Sequence, residues 1–211
     1  IDTISYTTDM DLWHWNDPII KPNERIKYKE NAEKLYISLY NLQEKKLIQL
    51  ADKDLQDIEL TDNEFYTMGF NDKPYLKEIS WDGWYKDLYK IDLRDGSRKL
   101  IHKRLGDNAQ LSPLGKFIIF FANKNWQLFN CQTDSLINLT SRIEFPFYDE
   151  DNDEPKESES YGIGAWFEND DAVILYDKYD FWKFQTKGPG FFNQTAGEGR
   201  ASEIIFRLYN L

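Results

Sequence analysis

The chain has 211 residues, the length of one large domain or two small ones. It is 41% apolar and 16% aromatic, so it can bury a core and lies outside the composition of disordered chains. Its 37 acidic residues against 26 basic ones give a net charge of −11, which excludes a binder of phosphate backbones, since that needs a basic face.

The longest clean apolar run, Phe117 to Ala122, is far too short to span a membrane. Cys131, the single cysteine, excludes an internal disulfide framework and does not decide between an exported and a cytoplasmic location. The first residue is Ile1 and no basic-then-apolar leader follows, as expected of a mature or excised piece.

Taken along the chain, helical periodicity is nearly absent. The Lys- and Glu-rich stretch Glu24 to Tyr40 ends in Leu35-Tyr36-Ile37-Ser38-Leu39-Tyr40, a β-branched and aromatic run. It reads as a hairpin, Arg25 to Glu30 against Leu35 to Asn41, with Asn31-Ala32-Glu33 at the turn. Beyond it come short apolar bursts divided by turn chemistry. Tyr85 to Leu93 precedes Arg94-Asp95-Gly96-Ser97 and then Lys99-Leu100-Ile101. Phe117 to Ala122, Trp126 to Cys131 and Leu136 to Leu139 are divided by Asn123-Lys124-Asn125 and Thr133-Asp134-Ser135. Val173 to Tyr176 and Phe181 to Phe184 follow, and Gly188-Pro189-Gly190 leads into Phe191-Phe192-Asn193. Asp-Gly, Asn-x-Asn and Gly-Pro-Gly supply the positive φ or preset bend of tight reversals, so the pattern is an all-β meander.

One unit recurs four times, and its closing strands end near Gln49-Leu50, Ile101-His102, Leu139-Thr140 and Gln194-Thr195. The spacing is roughly 40 to 55 residues, and repeats of about 40 to 50 residues with four strands each mark propeller blades. The expectation is a partial β-propeller of about four four-stranded antiparallel blades, at 1–53, 54–104, 105–148 and 157–211, with an acidic loop at 149–156. A β-sandwich is the competing arrangement.

The third unit runs Leu111-Ser112-Pro113-Leu114-Gly115-Lys116, then an apolar strand, then Asn125-Trp126-Gln127-Leu128-Phe129 and Leu136-Ile137-Asn138-Leu139-Thr140. It resembles the Ser-Pro-Asp-Gly-Lys blades of prolyl oligopeptidase-type serine peptidases and of TolB-like propellers, with Leu114 where Asp is usual. Asp11 to Pro18 and Ser80-Trp81-Asp82-Gly83 leading into Asp87-Leu88-Tyr89 resemble segments of the bacterial peptidases. So does the run Trp166, Asn169-Asp170-Asp171, Tyr179-Asp180-Phe181-Trp182, Asn193-Gln194-Thr195 and Gly197-Glu198-Gly199-Arg200.

The resemblance implies a non-catalytic propeller portion of such a peptidase, covering the active-site cavity and limiting entry by size. Its implied partners are an α/β-hydrolase domain of the same parent chain and peptide substrates. The alternative is a self-standing TolB-like propeller that binds proteins.

No serine has glycine at both positions of a Gly-x-Ser-x-Gly elbow, and His14 and His102 belong to no triad motif, so no catalytic residue is assigned to this segment. His14 reads as part of an aromatic segment at a blade edge and His102 as a solvated turn residue. Asp149, Asp151 and Asp153 fall at positions 1, 3 and 5 of a calcium loop, but Glu154 and Ser160 stand where Gly and Glu are needed. That stretch reads as a solvated, mobile loop, and no metal or cofactor is assigned. Gly197-Glu198-Gly199-Arg200 lacks the Lys-Ser/Thr of a phosphate loop, and its glycines read as permitting a tight bend between blades. Asp153-Glu154 and Asp170-Asp171 read as loop and turn residues, and no Glu-Glu pair exists to hold a substrate amine as dipeptidyl-peptidase relatives do. Four blades leave open edges, so self-association through them is expected.

Overall fold

A computed structural model describes residues 12–209; Asp11 of the first motif and residues 210–211 lie outside this range. Fourteen strands occur in it, β1 Ser38–Asn41, β2 Lys46–Gln49, β3 Asp57–Ile58, β4 Tyr66–Asn71, β5 Lys86–Asp92, β6 Arg98–Leu105 and β7 Ala109–Leu111, then β8 Phe117–Ala122, β9 Asn125–Asn130, β10 Leu136–Asn138, β11 Ile163–Trp166, β12 Ala172–Tyr176, β13 Phe181–Gln185 and β14 Phe191–Asn193. Every pairing is antiparallel between chain neighbours. The sheets are β1-β2, β3-β4-β5-β6, β7-β8-β9-β10 and β11-β12-β13-β14.

Three sheets have the expected four strands, and the first has two among the described residues. The hairpin expected at 25–41 is corrected. Lys21–Ala32 forms helix α1, and the strand Ser38–Asn41 pairs forward with Lys46–Gln49. Pro22 presets the first helical turn, Lys21 pairs with Asp17 at 3.1 Å and Glu24 at 2.7 Å, and Lys, Glu and Arg are good helix formers. Ile26 and Tyr28 stay exposed, so this polar helix buries no apolar stripe and leaves no helical period in the sequence.

The sheets stack face to face in chain order through three apolar cores. Ile48 and Leu50 of the first sheet meet Ile91 and Leu93 of the second. Met68, Leu88 and Leu105 of the second meet Ile118, Phe120 and Phe129 of the third. Phe117, Ile119, Trp126 and Leu128 of the third meet Val173, Leu175, Trp182 and Phe184 of the fourth. Successive residues of a strand point to opposite faces, so Phe117, Ile119 and Phe121 serve one core while Ile118, Phe120 and Ala122 serve the other. That double duty is why all six residues of β8 are buried and why the run lacks polar alternation. Sheets of four antiparallel strands stacked serially on both faces make a partial β-propeller.

The reversals obey their chemistry. Asn123 and Lys124, at φ 53° and 61°, place both central residues of the β8–β9 hairpin in the left-handed region. Because strands alternate in direction, the connections β4–β5, β6–β7, β8–β9, β10–β11 and β12–β13 share one end of the sheets. That end carries the two long excursions, 72–85 and 139–162, and the opposite end carries short turns. The acidic loop is anchored at its base by the Tyr148–Ser160 bridge and a 2.8 Å bond from Asp149 N–H to the Glu159 carbonyl. Lys178 holds Asp151 at 2.8 Å, and Arg200 holds Glu150 at 3.2 Å. Residues 204–209 form no strand; Phe206 N–H bonds the Tyr179 carbonyl at 2.7 Å.

Candidate functional site

A cleft of about 410 Å³ opens at the excursion end, between the second and third sheets. Asp82, Trp84 and Tyr85 come from the first excursion, His102 to Leu105 from β6, Asn123 from the β8–β9 turn, and Lys156 to Glu159 from the second excursion. A neighbouring hollow of about 420 Å³ shares Trp84, Tyr85, Asp107 and Glu159 and is floored by Phe70 and Lys86.

Behind these linings, Asp87 on β5 faces both the first excursion and β6. This buried carboxylate accepts Tyr75 Oη–H at 2.5 Å and Arg104 N–H at 3.0 Å, tying the excursion to β6. Arg104 sits at φ 55°, where β6 is irregular against β5. Its guanidinium lies 3.7 Å over the Tyr85 ring and donates to Glu78 at 3.0 Å and to Asp82. Tyr75 meets Tyr85 edge-on at 6.3 Å. Burial, reinforced by the bond to Asp87, pushes the Tyr75 phenol up to about 12.

Asp107 closes the floor by accepting Asn108 N–H and Ser160 N–H, both at 2.6 Å. Lys86 is half-buried over Phe70 at 3.8 Å, and burial lowers its ammonium below the ordinary lysine range.

His102 is not a solvated turn residue. It lies within β6, half-buried with its ring 5.2 Å from Phe120, and burial holds its imidazole below the ordinary value. The strand runs four residues past the apolar pair Leu100-Ile101 because Leu105 still has a core to enter. His14 is exposed in the N-terminal turn and outside any strand, so it does not mark a blade edge; its Nδ1 accepts Asn16 N–H at 3.1 Å. The two histidines are not brought together.

Asp170 lies, as expected, in the turn between β11 and β12, and there it is a buried anchor. It accepts Ser112 Oγ–H at 2.6 Å, Leu114 N–H at 3.2 Å and Lys116 N–H at 3.4 Å across the sheet boundary. The carboxylate missing at Leu114 is thus supplied by the next sheet. Its neighbour Asp171 pairs outside with Lys187 at 2.8 Å.

The run from Tyr179 to Arg200 closes on Asp180. Its carboxylate accepts Thr195 Oγ1–H at 2.5 Å, Gly199 N–H at 2.9 Å and Arg200 N–H at 3.3 Å, at the start of the short helix α2 Glu198–Ser202. Gly197 takes φ 80°, and a Cβ on Gly199 would stand 2.5 Å from Asp180 Oδ1. Among the described residues no three His, Cys, Asp or Glu side chains are placed to hold a metal ion. Cys131 is buried, which raises its thiol to about 12. No described helix is long and apolar enough to cross a membrane.

No protein-family model matches the chain, and neither does any curated protein. Among solved structures the β-propeller domain of the Trilobed protease from Pyrococcus furiosus, described as having an open velcro topology, is similar at 15% identity with a TM-score of 0.38. The match covers 66% of this chain and 42% of that one, so the chain spans less than half of its neighbour's length. The fold assignment rests on the sheets themselves.

Proposed function

We propose that this chain is a non-catalytic propeller portion of a prolyl oligopeptidase-like serine peptidase, where it covers the active-site cavity and limits access by size. The observation that carries the reading is the serial stacking of sheets on continuous apolar cores, joined to blade motifs that resemble that family. A stack with cores on both faces of its inner sheets is stiff, and a stiff wall excludes folded proteins while short or unfolded peptides pass its opening. Such selection needs no reactive side chain. The buried carboxylates Asp87, Asp170 and Asp180 have hydrogen-bond donors within the chain, and their work is structural.

The partner on this reading is an α/β-hydrolase domain carrying the Ser, Asp and His. The test is to join the chain to that domain and compare cleavage of a short peptide with cleavage of a folded protein. Deleting the propeller is expected to raise protein cleavage while peptide cleavage persists. Unchanged protein cleavage overturns the gating role.

A further inference from the structure

We propose that the 410 Å³ cleft between the second and third sheets binds a neutral oligosaccharide stacked on Trp84. The cleft lies within the ~300–1,000 Å³ range of small-ligand sites, and its chemistry narrows the occupant. Most of its charges are already satisfied. Asp82 takes Arg104, Asp107 takes two backbone N–H groups, and Glu159 takes Lys156 at 3.3 Å. Among the described residues Lys103 and Glu157 are the charged lining groups with no hydrogen bond or ion pair, and the lining as a whole holds four acids against three bases, so neither sign dominates it.

Two neutral polar groups are also free. Among the described residues the Asn123 carboxamide has no hydrogen-bond partner, and neither do the His102 ring nitrogens. Burial holds His102 below its ordinary value, which favours the neutral ring that donates from one nitrogen and accepts at the other. Asp87 and Glu157 are the acids that act on it, and both favour the protonated form that burial opposes.

The rings complete the argument. Tyr85 has its face covered by Arg104 at 3.7 Å, and Phe121 is engaged by Trp126 at 5.3 Å. Trp84 lines the cleft, has no ring or cation against it among the described residues and is 69% exposed. An open indole face wants a flat apolar surface. The free amide, imidazole, ammonium and carboxylate, drawn from three separate elements, want a ring of hydroxyls that donate and accept. A pyranose presents both, with no charge of its own.

The test titrates the 211-residue chain with maltotriose, cellotriose, xylotriose and chitotriose, each to about 10 mM, by calorimetry and tryptophan fluorescence. At least one is expected to bind, with an affinity that changes less than about twofold as salt is raised tenfold, since no ion pair forms. Trp84→Ala is expected to weaken binding at least about tenfold. Asn123→Ala and Glu157→Gln should weaken it severalfold. Trp81→Ala removes an equally exposed indole that does not line the cleft and is expected to leave binding unchanged. All four variants lie at the surface, and matching far-ultraviolet circular dichroism shows that they fold. No binding by any of the four sugars overturns the proposal, as does binding that survives Trp84→Ala. Capture of a charged peptide in their place, with steep salt dependence, also overturns it. Because the gating role concerns protein cleavage, either idea fails without the other.

Discussion

Asp170 offers the sharpest test of how the sheets are held in line. Its carboxylate is 1% exposed and receives three donors from the β7–β8 turn of the preceding sheet. In Asp170→Ala the charged hydrogen bonds go, worth about 1.5–3 kcal/mol, and the buried Ser112 hydroxyl loses its acceptor at about 1–3 kcal/mol more. Alanine at φ 59° adds roughly 1 kcal/mol of left-handed strain. Allowing for relaxation, the expected loss is about 3–5 kcal/mol, a large part of the ~5–15 kcal/mol typical of a domain. Asp170→Asn keeps one oxygen for Ser112 and tolerates positive φ, so it should cost about 1–2 kcal/mol. Urea unfolding followed by tryptophan fluorescence measures both, with midpoints falling by about 1–2 M for Ala at unchanged slope. A loss below about 1 kcal/mol in Asp170→Ala, or equal losses in both variants, refutes the clamp.

Tyr75 predicts alkaline sensitivity. With the folded phenol raised to about 12, its contribution is complete below the free value of 10 and is lost as the pH rises through the folded value. The stability gap between the parent and Tyr75→Phe should therefore narrow from pH 9 to pH 12 in urea titrations; a constant gap contradicts it. Asp134 behaves oppositely. Bonds from Lys90 and Lys99 lower its carboxyl, so its contribution holds above pH 3.8 and fades as the pH falls through the folded value, a fading that Asp134→Asn should lack in acid titrations. Gly199→Ala forces a Cβ against Asp180 and against the Ile204 and Tyr179 carbonyls, each 2.9 Å away. About 1–3 kcal/mol and a Tm lower by roughly 3–10 °C are expected in calorimetry, and an unchanged Tm would falsify the close approach. Tyr40, Leu47 and Phe192 are exposed on the outer faces of the end sheets, so light scattering should show mass rising with concentration; a monomer throughout excludes it.

The strands β5, β6, β8 to β10 and β12 to β14 were legible because short apolar runs met turn residues that do one thing well, whereas β4, β7 and β11 were not singled out. Gly96 at φ 76° and the Asn123-Lys124 pair behave as their chemistry dictates. The first quarter was misread because α1 has no buried face, and periodicity reports only faces that are buried. Asp170 was hidden for a different reason. Its donors are more than 50 residues away, and nothing local separates it from Asp171, which lies in solvent beside Lys187. The cleft was hidden likewise, since Trp84, His102, Asn123 and Glu157 come from four separate stretches of chain. Motif spacing finds sites built on one element, and this one is built between sheets.

The three interfaces share a device that apolar packing alone does not supply. Each adds a carboxylate contact at or beside the end of the sheets that carries the short turns. Asp52 holds Arg98 at 2.8 Å, Asp134 bridges Lys90 at 2.5 Å and Lys99 at 2.9 Å, and Asp170 holds Ser112. Apolar burial is non-directional, whereas a hydrogen-bonded carboxylate is directional and adds a fixed angle to the stiffness of the packed cores. Fixing one end sets the angle between neighbouring sheets and hence how far they splay at the other. The excursions then need not hold the sheets together, and they are free to shape the cleft. Loosening a clamp should accordingly be felt at the opposite end, so that Asp134→Ala changes the solvent exposure of Trp84 without touching it.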